Sequence, residues 1–369
     1  MPALSDAERE RYARHLEIPG VGEEGQRRLR DSSVLLIGTG GLGSPAAMYL
    51  AAAGVGRIGL VDDDRVERSN LQRQILHGES SVGQPKLDSA IRTLREINPH
   101  VDYVGHPVRF TPENAAGLVA DYDLVVDGSD NFPTRFLSND ACYFAGKPLV
   151  YGSIFRFEGQ VGVFAPHRGG PCYRCMLPEL PPPGAAPSCA EAGVLGVLPG
   201  VIGSLQAMEA IKLLAGLGSP PLGKLVCYDA LRTSFRDVRI DRDPRCRLCG
   251  DPASIRSLSN PETGAPQGCG LECPSVSVAE LRAILSANPA TVLVDVRQPE
   301  EHARAAIPGS RLIPLAELPA RLRELPGDGP VYLHCKSGRR SAQAVEFLRR
   351  QGIDQAVNVA GGIDAWLAE

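Results

Sequence analysis

The sequence predicts an α/β protein with a mostly parallel sheet, followed by a second and smaller α/β domain. Short apolar runs such as SVLLIGTG (33–40), RIGLVDDD (57–64) and YDLVVDGSDN (122–131) alternate with helical segments. This alternation is typical of parallel strands joined by helical crossovers. A similar alternation of shorter elements follows residue 275, in SVAELRAIL, TVLVDVR, VYLHC and AVEFLRRQG. We therefore expect two separate sheets.

The composition is ordinary for a globular protein. The chain has 369 residues, enough for two or three domains, with 43% hydrophobic and 22% charged residues and a net charge of −4. This weak charge argues against a nucleic-acid partner. The charged first twenty residues predict no signal peptide, and the apolar stretch 193–218 is interrupted by Pro199, Gln206, Glu209 and Lys212. We therefore expect no membrane partner and a cytoplasmic, reducing location.

Residues 251–275, DPASIRSLSNPETGAPQGCGLECPS, lose the periodicity of the flanking segments and are rich in Pro, Gly and Ser. Such a composition is typical of a linker. We therefore predict a first domain over residues 1–250, a linker over 251–275 and a second domain over 276–369.

A glycine-rich loop follows the first predicted strand. Gly38, Gly40 and Gly43 have the spacing G-x-G-x-x-G, with Gly41 between them, and the helical segment SPAAMYLAAAG comes next. Glycine lets the backbone approach a phosphate, and a helix N-terminus favours anions. Asp62 ends the next strand, where an acidic side chain can bind a ribose. The pattern favours a Rossmann-like nucleotide site over a structural glycine turn.

Cationic and amide side chains follow the second strand. Asn70, Arg73 and Gln74 lie in VDDDRVERSNLQRQ, and Lys86 lies in GQPKLDSA. A dinucleotide has little need for extra cations here, whereas a triphosphate attacked at its α-phosphorus builds up charge that cations stabilise. The sequence therefore favours ATP over a nicotinamide cofactor. A solvated charged rim is the alternative for each of these side chains.

Two carboxylates end a later strand, in DGSDN. Asp127 and Asp130 are expected at the carboxyl edge of the sheet, where open α/β sheets bind ligands. Because Mg²⁺ takes one or two carboxylates together with phosphate oxygens, Asp130 is a candidate ligand of Mg²⁺.

Five stretches closely resemble the MoeB/ThiF adenylyltransferases, relatives of ubiquitin-activating enzymes. They are RYARHLEIPGVGEEGQRRL, GTGGLGSPAAMYLAAAGVG, VDDDRVERSNLQRQ, VGQPKLDSA and DGSDNFPTR, and the resemblance covers roughly residues 5–250. It implies that ATP adenylates the C-terminal glycine of a small ubiquitin-like sulfur-carrier protein. It assigns Asp62 to the ribose, Asn70, Arg73 and Lys86 to the phosphates, and Asp130 to Mg²⁺. It also implies that Arg14 reaches the phosphates of a neighbouring subunit, and hence a homodimer.

Four of the ten cysteines form two C-x-x-C pairs, Cys172 with Cys175 and Cys246 with Cys249. Two such pairs without histidine predict a tetrathiolate site for structural Zn²⁺. The MoeB/ThiF resemblance agrees. Two redox-active dithiols or an iron–sulfur cluster are the alternatives.

The other cysteines before residue 275 differ in context. Cys189, in APSCAEAGVLG, matches a family cysteine on a mobile loop, which implies a thioester or the resolution of a disulfide. Cys142 and Cys227 have apolar neighbours and are expected in the core. Cys269 and Cys273 are interpreted as exposed linker thiols, with a sulfur relay as the alternative.

Cys335 lies between a predicted strand, VYLHC, and a predicted helix, SAQAVEFLRR. Backbone N–H groups and the helix dipole favour a thiolate there, and Lys336, Arg339 and Arg340 add positive charge. Phosphatase loops typically place an arginine six positions after the cysteine, where this chain has Ser341. The shorter loop suits one sulfane sulfur better than a phosphate.

TVLVDVRQPEEHARAAIPGSRLIPL and NVAGGIDAW resemble the rhodanese sulfurtransferases, over about residues 276–369. Asp295 and Arg297 match the family's D-x-R strand, interpreted as structural support. The resemblance implies that Cys335 carries a persulfide, taken from thiosulfate or from a persulfide-forming enzyme.

The two resemblances together predict one reaction sequence. The persulfide of Cys335 attacks the adenylated carrier and expels AMP, and Cys189 or an external reductant then releases a thiocarboxylate. The alternatives are an activator of ubiquitin-like conjugation, an NAD-dependent oxidoreductase and a non-catalytic sulfur-binding scaffold.

Overall fold

A computed structural model of the chain describes residues 3–181, 193–259, 274–326 and 329–368. The chain forms two compact units. Of the described residues, 3–180 and 193–259 belong to the first unit, and Pro181, 274–326 and 329–368 belong to the second. Each unit has its own sheet, and the predicted α/β class is confirmed.

The first unit contains an eight-stranded sheet in the order β3-β2-β1-β4-β5-β6-β7-β8. Its strands are β1 (Ser33–Ile37), β2 (Arg57–Val61), β3 (Asp102–His106), β4 (Leu124–Asp127), β5 (Leu149–Phe155), β6 (Glu158–Phe164), β7 (Lys224–Asp229) and β8 (Ser234–Arg239). The strands from β3 to β5 pair in parallel, and β6, β7 and β8 pair antiparallel. Short connections allow only antiparallel pairing, which explains the hairpins β5–β6 and β7–β8.

Helices cover both faces of this sheet. They are α1 (Asp6–Arg11), α2 (Ala13–Leu16), α3 (Gly22–Arg30), α4 (Gly43–Ala53), α5 (Lys86–Ile97), α6 (Pro112–Ala120), α7 (Phe132–Ala145), α8 (Tyr173–Met176) and α9 (Val197–Ala215). Two buried apolar clusters result, one containing residues of α4, α5 and α9 and the other residues of α6 and α7. Because both faces are covered, β1 and β4 are buried along nearly their whole length.

Helix α9 is long and apolar enough to cross a membrane by length and composition. Leu198, Ile202 and Ala207 on this helix are nevertheless buried in the first unit, and Gln206 donates to the backbone oxygen of Asp127 at 2.7 Å. These contacts are typical of a core helix in a globular unit.

The second unit contains a five-stranded parallel sheet in the order β11-β10-β12-β13-β9. Its strands are β9 (Ser275–Val276), β10 (Val292–Asp295), β11 (Arg311–Leu312), β12 (Val331–His334) and β13 (Ala356–Val359). Its helices are α10 (Val278–Ala287), α11 (Pro299–Arg304), α12 (Arg339–Arg350) and α13 (Gly362–Ala368). The register pairs Asp295 with His334, so the carboxyl ends of the two central strands lie side by side.

Candidate active sites and metal centre

A cleft of about 1010 Å³, counting its open mouth, lies at the carboxyl ends of β1, β2 and β4 in the first unit. Most of the predicted nucleotide-site residues line it, namely Gly38, Gly40, Gly41, Asp62, Arg73, Lys86 and Asp130. These residues are far apart in sequence. The order of the strands brings them together, because parallel strands end at one edge of the sheet.

The glycine loop is shaped by two close approaches of the backbone. Gly38 has a φ of +88°, in the left-handed region that favours glycine. A Cβ atom on Gly43 would lie 1.9 Å from the carbonyl oxygen of Gly38, so no larger residue fits. The loop therefore turns tightly into the N-terminus of α4, where free N–H groups favour an anion.

Asp62 is held in place by Thr39 of the glycine loop. Its Oδ2 atom accepts hydrogen bonds from the backbone nitrogen of Thr39 at 2.8 Å and from the Thr39 hydroxyl at 2.7 Å. The buried ring of His77 bridges the Thr39 carbonyl and the Ser89 hydroxyl, at 3.1 Å each. Burial lowers the pKa of His77, so a neutral ring supports the loop. The sequence analysis did not identify His77, since a single histidine carries no motif.

The predicted phosphate-binding residues differ in position. The Nζ atom of Lys86 lies 2.9 Å from Asp64, and Arg73 donates to the backbone oxygen of Ser69 at 3.1 Å. Both side chains line the cleft. Asn70 is buried, accepts from the backbone nitrogen of Glu67 at 3.2 Å and is not among the cleft residues. The structure therefore places Asn70 as a cap of a short turn beside the site.

The two carboxylates of DGSDN also differ in their exposure to solvent. Asp130 is exposed and lines the cleft, whereas Asp127 is fully buried. Asp127 accepts hydrogen bonds from the backbone nitrogen of Ser129 at 2.9 Å and from the Ser138 hydroxyl at 2.7 Å. Asp127 therefore fixes the turn after β4, and Asp130 is the carboxylate available to a cation.

Arg14, like Gly43 and Asn70, is not among the residues that line the cleft. Arg14, on α2, pairs with Glu17 at 3.0 Å, and its side chain is 89% exposed. Cys189 lies outside the described residues, as do Cys269 and Cys273.

Among the other residues that line the cleft are Arg109, Ser129 and Arg135, for which the sequence predicted no role. Ser129 and Arg135 lie within the motif DGSDNFPTR, so their place in a family stretch was the available signal.

The four C-x-x-C cysteines converge on one point of the first unit, with their sulfur atoms within 4.8 Å of one another. The Cys172–Cys246 and Cys175–Cys249 distances are 3.5 and 3.4 Å. A zinc–sulfur bond of about 2.3 Å implies tetrahedral sulfur–sulfur distances of about 3.8 Å, close to these values. The neighbouring sulfur of Cys172 lowers the pKa of Cys175 below its ordinary value. The cluster could hold a metal ion, and Zn²⁺ fits its ligand type and size.

Cys335 follows β12 in the second unit and is 1% exposed. Its sulfur accepts a hydrogen bond from the backbone nitrogen of Gly338 at 3.2 Å, and the Ser341 hydroxyl lies 3.5 Å away. Gly338 has a φ of +92°, which turns the loop back over the sulfur. These donors are suited to an anionic sulfur. Ser341 thus has a direct contact that the sequence did not reveal.

The carbonyl groups of the cysteine loop point toward α13. Ile363 donates to the Cys335 carbonyl at 2.8 Å, and Asp364 donates to the Lys336 carbonyl at 3.0 Å. A Cβ atom on Gly362 would lie 2.4 Å from the Cys335 carbonyl, which requires glycine in NVAGGIDAW. With its carbonyls bound there, the loop can direct N–H groups to the sulfur.

Charged pairs support the loop from α11 and β10. Arg340 forms a bidentate pair with Glu301 at 2.7 and 2.8 Å, and this contact lowers the pKa of Glu301. Arg297 pairs with the buried Asp295 at 2.6 Å, and His302 contacts Asp295 at 2.8 Å. Asp295 and Arg297 therefore stabilise the end of β10, as their structural interpretation predicted. The charge of Arg340 is largely balanced by Glu301.

These features describe a chain with a nucleotide cleft in one unit and a sulfur nucleophile in the other. Comparison with known proteins shows which family has this combination. A model of the ThiF family matches residues 12–248, and a model of the rhodanese-like domain matches residues 277–369. The chain belongs to the ThiF family, an ATP-using adenylation family, and carries a rhodanese-like domain.

Relatives support this assignment over the full chain. The probable adenylyltransferase/sulfurtransferase MoeZ of Mycobacterium tuberculosis is 46% identical over 378 residues, covering 99% of this chain and 94% of its own length. The sulfur carrier protein adenylyltransferase of Thermus thermophilus is 54% identical over 270 residues, covering 72% of this chain and 97% of its own length. The predicted enzyme, an adenylyltransferase joined to a sulfurtransferase, is confirmed.

A solved structure of E. coli MccB with MccA-N7isoASN is similar in fold. Its TM-score is 0.59 at 23% identity, and the match covers 67% of this chain and 75% of MccB. This likeness supports the fold of the first unit.

Proposed function

We propose that the first unit adenylates the C-terminal glycine of a ubiquitin-like sulfur-carrier protein ending in Gly-Gly, and that the second unit then supplies sulfur to it. The adenylation domain would occupy residues 1–250 and the rhodanese domain residues 276–369, joined by the linker 251–275. The observation that carries the proposal is the pairing of a cleft that contains Lys86 and Arg73 beside a glycine loop with a buried cysteine whose sulfur accepts a hydrogen bond from the backbone of Gly338. The Thermus relative, named for a sulfur carrier protein, supports the choice of substrate.

In the adenylation step, Asp62 would bind the ribose of ATP, and the N-terminus of α4 would face its phosphates. Lys86 and Arg73 would stabilise the charge that builds on the phosphoryl oxygens as pyrophosphate leaves. Asn70 would act from the neighbouring turn. Mg²⁺ would neutralise phosphate charge when bound, and the exposed carboxylate of Asp130 fits it.

In the sulfur step, Cys335 first takes a sulfane sulfur from thiosulfate or from a persulfide-forming enzyme. The terminal sulfur attacks the acyl carbon of the adenylate, the bond from carbon to the AMP oxygen breaks, and AMP leaves. An acyl disulfide then joins the carrier to Cys335. A thiol, from Cys189 or an external reductant, attacks the Cys335 sulfur, which forms a new disulfide and releases the carrier thiocarboxylate.

Three further features complete the proposal. The Cys172, Cys175, Cys246 and Cys249 cluster would hold one structural Zn²⁺. Arg14 would reach the phosphates of a second subunit in a homodimer. The location would be the cytoplasm, where thiols stay reduced.

The zinc proposal has a direct measurement. We expect one zinc per chain by metal analysis, and we expect Cys172→Ser to lose zinc and to unfold at a lower temperature, because binding of a structural metal is coupled to folding. Unchanged zinc content and stability in this variant would argue against the site.

The test of the proposed function is the variant Cys335→Ser, assayed with a Gly-Gly-ended carrier. Thiocarboxylate formation should be abolished, because a serine hydroxyl cannot carry a persulfide. ATP–pyrophosphate exchange should persist, and mass spectrometry should show added sulfur on Cys335 of the unaltered enzyme only. Normal thiocarboxylate formation by Cys335→Ser would make the second unit a docking module. Transfer of the carrier to a cysteine of another protein would instead favour an activator of conjugation.

A further inference from the structure

Arg135, in the first turn of α7, is a buried cation that no carboxylate of the described residues contacts directly. The residue is 7% exposed and lines the cleft. Its Nη2 atom donates to the backbone oxygen of Ser129 at 3.3 Å, and its Nε atom is buried without a hydrogen-bond partner. Among the described residues, no carboxylate oxygen lies within 4.0 Å of its guanidinium nitrogens.

Arg174, in α8, is another largely buried arginine of the first unit, and it has a carboxylate partner. Its side chain is 11% exposed and forms two hydrogen bonds with the carboxylate of Asp140, at 2.8 and 2.7 Å. Arg135 has the rings of Phe132 and Tyr151 near its guanidinium, each at 5.7 Å. Aromatic faces stabilise a cation less than the loss of water destabilises it. The charges of Asp127 and Asp130 act on Arg135 from a distance, but no described carboxylate contacts its guanidinium directly.

A second unsatisfied donor lies at the same corner of the cleft. Ser129 is 8% exposed, and its Oγ atom is buried without a hydrogen-bond partner. Buried polar atoms are rarely left unpaired in native proteins, and those at a cleft are satisfied by the ligand. A guanidinium with a neighbouring hydroxyl suits a carboxylate, which accepts several hydrogen bonds at once.

The order of the strands indicates that this corner of the cleft binds a carboxylate and not the triphosphate. Asp62 follows β2 and the glycine loop follows β1, and the cations Arg73 and Lys86 belong to the β2 side. Arg135 follows β4, and Tyr151 beside it belongs to β5. A nucleotide with its ribose at β2, its phosphates at β1 and Mg²⁺ at Asp130 would leave the part of the cleft between Arg135 and Tyr151 for the second substrate.

We propose that Arg135 and Ser129 bind the C-terminal carboxylate of the acyl substrate, an inference that rests on the adenylation proposed above. Both substrates are anions, so their approach is opposed by charge repulsion, which a guanidinium at the carboxylate reduces. One carboxylate oxygen then attacks the α-phosphorus, the bond from that phosphorus to the bridging oxygen breaks, and pyrophosphate leaves. The carboxylate loses its charge in this step, so Arg135 holds the substrate more tightly than the acyl-adenylate.

The test uses two synthetic peptides ending in Gly-Gly, one with a free C-terminal carboxylate and one with a C-terminal amide. The affinity of each peptide for the full-length chain is measured in the presence of α,β-methylene-ATP. The unaltered enzyme should bind the carboxylate form about ten- to a hundredfold more tightly, as expected for hydrogen bonds to a charged group. Arg135→Gln should lose this preference and keep its affinity for the ATP analogue. Lys224→Gln, at an exposed pair with Asp237 outside the cleft, should keep the preference.

Ser129→Ala provides a milder variant if Arg135→Gln does not fold, and it should reduce the preference several-fold. The absence of any preference in the unaltered enzyme, or its retention in Arg135→Gln, would overturn the inference. Weaker binding of the ATP analogue with an intact preference would assign Arg135 to the phosphates and also overturn it. Failure of the proposed function would give a different result from failure of this inference. In that case no Gly-Gly-ended carrier would support ATP–pyrophosphate exchange in the unaltered enzyme.

Discussion

In the first unit, residues 38–43 connect β1 to α4, and in the second unit residues 335–338 connect β12 to α12. Both loops leave a buried parallel strand, contain a glycine with positive φ and end at a helix N-terminus. In the glycine loop, the charged groups are side chains from other segments, such as Lys86 and Asp130. In the cysteine loop, the sulfur is contacted by the loop's own backbone and by Ser341.

The difference follows from the size of the bound group. A triphosphate extends beyond the reach of a few backbone N–H groups, so cations from several segments must converge on it. A single sulfur atom is small enough for one tight turn to hold, and Arg340 supports that turn by pairing with Glu301. Side-chain charge should therefore matter most in the first unit, and backbone shape should matter in both.

Removal of charge from the nucleotide cleft should have the largest effect. We expect Lys86→Ala and Asp130→Ala to lower ATP–pyrophosphate exchange about 10²–10³-fold, through lost stabilisation of phosphoryl charge. Lys224→Ala, at an exposed pair with Asp237 on β8, is the matched control and should exchange normally. Wild-type exchange by Asp130→Ala would mean that Asp130 does not hold an essential cation.

A methyl group placed against the backbone of either loop should lower one activity and leave the other unchanged. Gly43→Ala and Gly362→Ala each place a Cβ atom on a backbone carbonyl oxygen, at 1.9 and 2.4 Å. We expect Gly43→Ala to lower exchange and Gly362→Ala to lower persulfide formation, each about 10²-fold. The other unit's activity in the same chain is the control for folding. Equal loss of both activities would contradict the independence of the two loops.

Removal of the contact between Arg340 and Glu301 should have a smaller effect, on sulfur loading of Cys335. Arg340→Gln and Glu301→Gln each remove the same contact, so we expect each to slow sulfur loading of Cys335 about three- to tenfold. The double variant should be no slower than either single variant, because neighbours that share one contact are not additive. Additive losses would show that Arg340 stabilises the sulfur directly.

The smallest effect concerns pH. His334 is fully buried, and burial lowers its pKa to about 4 from an ordinary value of 6.5. Between these values the unfolded chain binds a proton that the folded chain excludes, so stability falls as the pH falls through this window. From pH 7 to pH 5.5 we expect a loss of about 1 kcal/mol from this residue.

Trp366 is the single tryptophan of the chain and lies in α13, so its fluorescence reports unfolding of the second unit. His334→Asn should flatten the pH dependence of urea unfolding followed by this signal. An equal slope with and without His334 would assign the acid sensitivity to other groups.

The sequence by itself determined the features that depend on local order. Alternating strands and helices predicted the α/β class, and the glycine spacing, the paired C-x-x-C motifs and the cysteine before a helix each predicted a site. The hairpins β5–β6 and β7–β8, which turn the sheet antiparallel, were not predicted. A strand's apolar pattern does not carry its direction, which the short connections decide.

Only the tertiary structure decided which of the polar residues in one motif face the cleft. Asp127, Ser129, Asp130 and Arg135 lie within nine residues, yet Asp127 is buried by the turn that it supports and the other three line the cleft. Likewise, the sequence placed Ser341 after Cys335, but the fold of the loop brought its hydroxyl to the sulfur. Burial and pairing depend on contacts between distant segments, and a pattern of residue types along one chain does not specify those contacts.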